Sequence, residues 1–141
     1  MTEATESAPF GTSQADGIVH RRSPHSVANT VELLTQAIEG AGAKLFAIVD
    51  HSGEAERAGL SLRDTKLMIF GSPTAGTPVM DVAPTAALDM PLKTLVWADD
   101  GGAVWMTYLS AAWLADRHDI PADLAKPLSA VEVFASRIAA D

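Results

Sequence analysis

Two segments of the chain carry apolar residues at steps of three and four, the period of an α-helix with one buried face. The first stripe consists of Val27, Val31, Leu34, Ile38 and Ala41, and the second of Leu128, Val131, Phe134, Ala135 and Ile138. Ser26 can cap the first helix, and Pro127 suits the first turn of the second. The pattern predicts a long helix near each end of the chain, with a strand at Ile18–Ser23 before the first.

Between these helices the apolar residues form short runs without a helical period. The runs KLFAIVD (44–50) and KLMIF (66–70) are apolar without alternation, which is typical of strands buried on both faces. The linking segment GEAERAG is expected to form one or two helical turns.

A hairpin is predicted next, because two β-rich runs flank the pair Asp100-Gly101. This pair suits a two-residue type I′ turn, in which Asp99 pairs with Gly102. That register sets Lys93 opposite Tyr108, and a shift by one residue would reverse every face.

The element order predicts an α+β fold, β-α-β-β-β-β-α, with one mainly antiparallel sheet and the long helices packed on one face. Residues 1–16 are expected to be a disordered tail, and residues 17–141 a single domain. The second sheet face stays apolar, and leaving it in water would cost roughly 25 cal/mol per Å². A homodimer or a ligand cavity would cover it.

The net charge and the lack of cysteine exclude several classes of partner and of site. The chain has a formal net charge of −8, which opposes binding to nucleic acids and to anionic membranes. It has no cysteine, so disulfides, thiolate nucleophiles and zinc–thiolate sites are excluded. No resident metal or cofactor is predicted. The polar, acidic N-terminal segment and the lack of a long apolar run favour a cytoplasmic protein.

The stretch GSPTAGT (71–77) follows a predicted strand, as phosphate-binding loops do. It lacks the Lys-Ser/Thr pair of a P-loop, since Gly76 is followed by Thr77-Pro78, and its glycine spacing is not that of a dinucleotide site. Thr74 or Thr77 is expected to cap a helix that starts near Pro78. The stretch is either such a capped turn or an anion site at that helix end.

Three further residues carry candidate chemistry. His51 and Glu54 share a helix face and offer two metal ligands, whereas Asp50 or Ser52 beside them can cap that helix. Lys93 inside a β-run is a candidate base or imine former if burial lowers its pKa. Alternatively its ammonium reaches the sheet edge or pairs with a carboxylate such as that of Asp50 or Asp89.

Four pieces of the sequence resemble the domain-of-unknown-function 302 family of bacterial and archaeal proteins. They are Asp50-His51 with Ala55 and Gly59-Leu60, the segment Phe70 to Met80, the segment Ala87 to Lys93, and the strand Gly102 to Tyr108. The resemblance implies a TATA-binding-protein-like arrangement and a homodimer, and it implies no reaction. At Ser72 the sequence departs from the asparagine usual in the family.

The function predicted from these observations is a homodimeric module that binds a small ligand or a protein partner. Its candidate site gathers Asp50, His51, Gly71, Thr74, Thr77 and Lys93, since loops at one end of a sheet can converge on one mouth. The alternative is a metal-independent hydrolase or lyase with His51 as base and Lys93 as electrostatic stabiliser. A purely structural dimer is the third possibility.

Overall fold

Five strands and six α-helices are formed within residues 16–140, the part of the chain that the computed structural model describes. In chain order they are β1 (Ile18–Ser23), α1 (Val27–Gly40), β2 (Lys44–Asp50), α2 (His51–Arg57), β3 (Thr65–Gly71), α3 (Pro73–Val82), β4 (Leu92–Ala98), β5 (Val104–Leu109), α4 (Ala111–His118), α5 (Ala122–Ala125) and α6 (Ala130–Ala140). The predicted tail, residues 1–16, lies outside the described residues except for Asp16. Among the described helices, none combines the length and hydropathy needed to cross a bilayer.

The strands form one fully antiparallel sheet in the order β1-β5-β4-β3-β2. The first two strands are therefore the two edges, and α1 carries the chain from one edge to the other. With the shorter helices set aside, the order is β-α-β-β-β-β-α, which confirms the predicted α+β fold and its single antiparallel sheet.

One face of the sheet is covered by α1 and α6, as predicted. Met68 of β3, Val96 of β4 and Met106 of β5 are fully buried there, and they belong to the same apolar cluster as Ile38 of α1 and Phe134 of α6. Most of the two predicted stripes lie in this cluster, which is why these segments are helical: each has one face to bury. We call this the helix face.

Serine side chains cap two of the helices, and the first of these caps was predicted. The Ser26 hydroxyl accepts a hydrogen bond from the backbone N–H of Asn29 and opens α1. The Ser110 hydroxyl accepts one from the N–H of Trp113 and opens α4. In both cases a side chain satisfies one of the orphan donors at a helix start.

The β4–β5 hairpin has a different turn from the one predicted. Asp99 pairs with Ala103, and the loop holds Asp100, Gly101 and Gly102, the last with a φ of 87°. A positive φ at the third loop position is typical of a three-residue hairpin loop with a glycine bulge. The Asp99 carboxylate stabilises this longer loop by accepting hydrogen bonds from the N–H groups of Gly101 and Ala103.

The extra loop residue shifts the register by one position. Trp97 pairs with Trp105, so Lys93 and Tyr108 lie on opposite faces of the sheet, and the predicted Lys93–Tyr108 neighbourhood is wrong. Tyr108 lies on the helix face, where burial and the nearby Glu132 carboxylate raise its pKa to about 12.

The prediction that residues 44–50 are buried on both faces is wrong for the single chain, because β2 is an edge strand. Phe46 is 43% exposed and Ile48 is 41% exposed. Opposite the helix face, several strand residues lie outside the apolar cluster: Ala47, Val49, Leu67, Ile69, Leu95, Trp97 and Trp105. We call this surface the open face.

Candidate functional site

A cavity of about 290 Å³ lies at the end of the β2–β3 pair where Lys44 faces Gly71. Five parts of the chain surround it: the α1–β2 link, Phe46 of β2, the end of β3 with α3, the start of β4 with the two residues before it, and α6 with the turn before it. The lining residues are Ala41, Gly42, Ala43, Phe46, Phe70, Gly71, Ser72, Pro73, Ala75, Gly76, Val79, Met80, Met90, Pro91, Leu92, Pro127, Leu128, Ala130 and Phe134. None of these side chains is ionisable, so the cavity suits an apolar molecule.

A β-bulge shapes the mouth of the cavity. Leu45 pairs with Phe70 and Ala47 with Ile69, which leaves Phe46 as the extra residue of β2. This irregularity allows the Phe46 ring to line the cavity from an edge strand. Phe46 stays 43% exposed, and it therefore forms part of the rim.

Gly71 leaves an opening in the wall beside this rim. A methyl group at Gly71 would lie 3.6 Å from Cβ of Pro91 and 3.9 Å from Cε2 of Phe46, which are ordinary van der Waals contacts. An alanine therefore fits at this position, whereas a larger side chain would extend between two lining residues. The absence of a side chain at Gly71 contributes to the volume of the cavity.

Gly76 brings α3 close to the opposite wall. A Cβ at this buried position would lie 3.0 Å from Cε of Met90 and 3.8 Å from Cε of Met80. Both methionines line the cavity, and their unbranched, polarisable side chains adapt to irregular partners. This wall can therefore change shape at a low energetic cost.

The start of α3 differs from the prediction. The helix begins at Pro73, and the Ser72 hydroxyl caps it by accepting a hydrogen bond from the N–H of Ala75 at 3.3 Å. Thr74 and Thr77 are exposed residues within the helix, so neither is its cap. Pro78 lies in the middle of the helix and does not start it. Serine followed by proline is a strong start signal, since proline at the first helical position has no N–H to satisfy.

Asp50 and His51 lie at the other end of the same strand pair, where Asp50 pairs with Lys66. The Asp50 carboxylate caps α2, as predicted, by accepting from the N–H of Gly53, and it also accepts from the Ser52 hydroxyl and the Lys66 ammonium. These contacts, the Gly53 N–H first, lower the Asp50 pKa to about 2. We call this the polar end and the Gly71 end the cavity end.

Because the two strands are antiparallel, the polar end and the cavity end lie at opposite ends of the pair. The prediction that Asp50, His51 and the Gly71–Thr77 loop converge on one mouth is therefore wrong. His51 is the exposed first residue of α2. Within residues 16–140 no group of three or more His, Asp and Glu side chains is placed to hold a metal ion.

Lys93 lies closer to the cavity end, since it pairs with Ile69 of β3. Its ammonium donates to the carbonyl oxygen of Pro91 at 2.8 Å and is 3.4 Å from that of Asp89. Burial lowers the Lys93 pKa. The ammonium thus bonds to backbone carbonyls at the end of β4, an interior strand, and neither to the predicted sheet edge nor to a carboxylate.

Residues 19–136 match the family model of the domain of unknown function DUF302. The chain belongs to the DUF302 family. Its fold is similar to that of an uncharacterized conserved DUF302 protein from Bacillus stearothermophilus, with a TM-score of 0.73 at 12% identity. The match covers 88% of this chain and 96% of that one, and it shows the fold alone.

Curated relatives share more sequence with this DUF302 chain but are longer. Fluoride-specific ion channel FluC 1 of Brucella suis is 43% identical over 104 residues, which is 74% of this chain and 41% of the relative. FluC 1 of Brucella abortus is also 43% identical over 104 residues, covering 74% of this chain and 38% of the relative. The chain spans about two fifths of the length of these relatives.

At position 72 this DUF302 chain has serine where the resemblance implies asparagine. The structure gives the Ser72 side chain a capping role, and asparagine is an equally good N-cap residue. The departure therefore retains the start of α3 at the cavity.

A cluster that sequence reasoning missed lies behind the Met90 wall of this DUF302 chain. His118 Nδ1 is 3.1 Å from the Thr85 hydroxyl, and His118 Nε2 is hydrogen-bonded to the Asp89 carboxylate, which Arg117 also approaches. The His118 side chain is only 5% exposed. The cluster ties the end of α4 to the segment before Met90. The sequence gives no sign of this cluster, because strands β4 and β5 separate Asp89 from His118 of α4 along the chain.

Proposed function

We propose that this DUF302 domain is a binding module whose cavity takes a small molecule with an apolar body. The observation that carries the proposal is a cavity of about 290 Å³ bounded by glycine, alanine, proline, methionine and aromatic residues, with no ionisable lining side chain. Ligand pockets are mostly apolar and start at roughly 300 Å³, so the ligand is small. The candidate site therefore keeps Gly71 from the sequence prediction and omits Asp50 and His51.

The test is a thermal-shift and calorimetric screen of small apolar compounds against the full chain and two variants. A ligand at about 100 times its dissociation constant adds about 2.7 kcal/mol to stability. Gly71→Leu should abolish the shift by occupying the cavity, whereas Gly71→Ala fits and should retain it. A shift that survives Gly71→Leu would place binding elsewhere and overturn the proposal.

We also propose that two copies associate through the open face. Leu67, Ile69 and Leu95 lie at its centre, are only partly buried, and do not contribute to the apolar cluster. A twofold contact between two such faces would remove this apolar area from water. Localisation in the cytoplasm, independence from nucleic acids and membranes, and a single domain over residues 17–141 stay predictions within this proposal.

Light scattering with a matched pair of variants tests the dimer. Leu95→Lys puts a charge in the centre of the open face and should give a monomer. Leu62→Lys, at a loop residue that is already 46% exposed, should leave the dimer intact. A wild-type monomer at tens of micromolar would contradict the association.

An enzyme is the second candidate, but not with the predicted residues. His51 lies at the polar end, directly after the Asp50–Lys66 pair. Lys93 of β4 pairs with Ile69, near the opposite end of β3, and its ammonium donates to the Pro91 carbonyl. The two side chains are therefore not placed to act together. The Thr85–His118–Asp89 cluster is the feature that favours an enzyme, because a hydroxyl, an imidazole and a carboxylate in this order resemble a hydrolase triad. Ester hydrolysis lost in Thr85→Ala and retained in Thr85→Ser would support this candidate.

The fluoride-channel function of the Brucella relatives is not part of the proposal. More than half of each relative lies outside the match, so its channel activity need not reside in the matched part.

A further inference from the structure

A single cation stands over the aromatic rim of the cavity. The Lys44 ammonium lies 5.1 Å from the centroid of the Phe46 ring, which lines the cavity and is 43% exposed. Within residues 16–140, no carboxylate lies within ion-pair distance of the Lys44 ammonium. The charge at the rim is therefore available to a ligand, even though the protein as a whole has a net charge of −8.

The other charged groups near the cavity are bonded to protein groups or lie outside its lining. The Lys93 ammonium, for example, donates to the backbone carbonyl of Pro91. Asp89, next to the lining residue Met90, is hydrogen-bonded to His118 and approached by Arg117. Glu39 and Asp81 precede or follow lining segments but are exposed, and so is Lys126 beside Pro127. The lining itself is uncharged, and among residues 16–140 Lys44 is the cation that lies over a lining ring.

We infer that the ligand is a monoanionic amphiphile, with its apolar body in the cavity and its carboxylate at the Lys44 ammonium. The inference rests on the proposed function and adds the chemistry of the head group. An exposed ammonium pairs with a carboxylate by hydrogen bonding and charge, and it keeps the anion at the rim, where water still solvates it. An uncharged ligand would lack the charge attraction to this residue.

The volume sets the size of the ligand. A cavity of about 290 Å³ equals roughly ten times the volume share of a liquid water molecule, which is about 30 Å³. A body of about ten non-hydrogen atoms fits, so the class is a medium-chain or aromatic monocarboxylate. Octanoate and its uncharged counterpart 1-octanol are suitable probes.

The experiment measures dissociation constants of octanoate and 1-octanol by calorimetry on the full chain at low ionic strength. Lys44→Met should weaken octanoate about two- to fivefold, the range expected for an exposed ion pair, and leave 1-octanol within about twofold. Lys126→Met removes another exposed lysine near the cavity and should change neither. Added salt should reduce the advantage that Lys44 gives to octanoate.

The outcomes separate this inference from the proposed function. If both probes bind and Lys44→Met leaves octanoate unchanged, the anionic head group is overturned while the apolar cavity stands. If Lys126→Met weakens octanoate binding as much as Lys44→Met does, the effect would come from the overall charge of the protein, and the inference would also be overturned. If neither probe binds to the wild type, and no apolar compound in the screen does, the proposed function itself fails.

Discussion

The polar end and the cavity end of the β2–β3 pair use their side chains in opposite ways. At the polar end the Asp50 carboxylate accepts three hydrogen bonds and the Lys66 ammonium contacts both Asp50 and Asp64, so the charged groups satisfy one another. At the cavity end the residues are small or apolar, and the space between them stays open. The charged groups of the polar end are thus engaged with one another, whereas the cavity end combines a packed apolar wall with room for a ligand.

The largest expected effect is a loss of stability when the packing at the cavity end is removed. Phe134 is 5% exposed and packs against Phe70 with a ring-centroid distance of 5.8 Å. Phe134→Ala should lower the free energy of unfolding by about 3–5 kcal/mol, because it removes a core ring and leaves a void. The neighbouring Val133 is 53% exposed, so Val133→Ala should change stability by no more than about 0.5 kcal/mol in denaturant titrations.

A smaller effect is expected when the cavity is filled without disturbing the core. Gly71→Leu should weaken binding of an apolar probe at least about tenfold, or about 1.4 kcal/mol, whereas Gly71→Ala should stay close to the wild type. Calorimetry on the three proteins measures the difference. Equal affinities in all three would mean that the cavity end is not the binding site.

At the polar end the expected effect depends on pH. The folded-state pKa of Asp50, about 2, is below the unfolded value of about 3.9, so its charged form stabilises the fold above pH 4 and this contribution is lost as the pH falls through about 2. Asp50→Asn should therefore lower stability at pH 7 and match the wild type below pH 2. Denaturant titrations across this range check it, with Asp123→Asn, at an exposed residue of α5 outside the Asp50–Lys66–Asp64 contacts, as the control.

The smallest effect concerns Lys93. Burial lowers its folded-state pKa, so the unfolded state binds the proton more strongly and the charged lysine costs stability at neutral pH. Partial exposure and the bond to the Pro91 carbonyl limit this cost. Lys93→Met should raise stability at pH 7 by no more than about 0.5 kcal/mol, and the gain should shrink as the pH rises through the lowered folded-state pKa and vanish above the unfolded value of about 10.4. A marked loss at pH 7 would show that its hydrogen bonds outweigh its desolvation.

The sequence predicts the parts of this protein that depend on local periodicity. The stripes of α1 and α6, the cap at Ser26, and the order of strands and long helices along the chain follow from short-range patterns, and the structure confirms them. The hairpin register could not be read in the same way, because the Asp99 side chain decides it by bonding to Gly101 and Ala103. A one-residue difference in a loop then reverses the face of Lys93.

The candidate site was predicted in part. Gly71 lies on the cavity, but Asp50 and His51 were joined to it on the assumption that their loops leave the sheet at the same end. Strand pairing, which sequence alone does not give, decides that question. The contributions of Phe46, through a bulge, and of Phe134, from a distant helix, carry no signal in their local sequence.

The placement of β1 at the edge beside β5 has a consequence for biosynthesis. Ile18 pairs with Leu109, so β1 is synthesised before β2 to β5 but can pair only when β5 has been made. Until then the sheet beneath α1 is incomplete and apolar surface of the nascent domain stays exposed. This domain should therefore complete its sheet only after Leu109 has been synthesised.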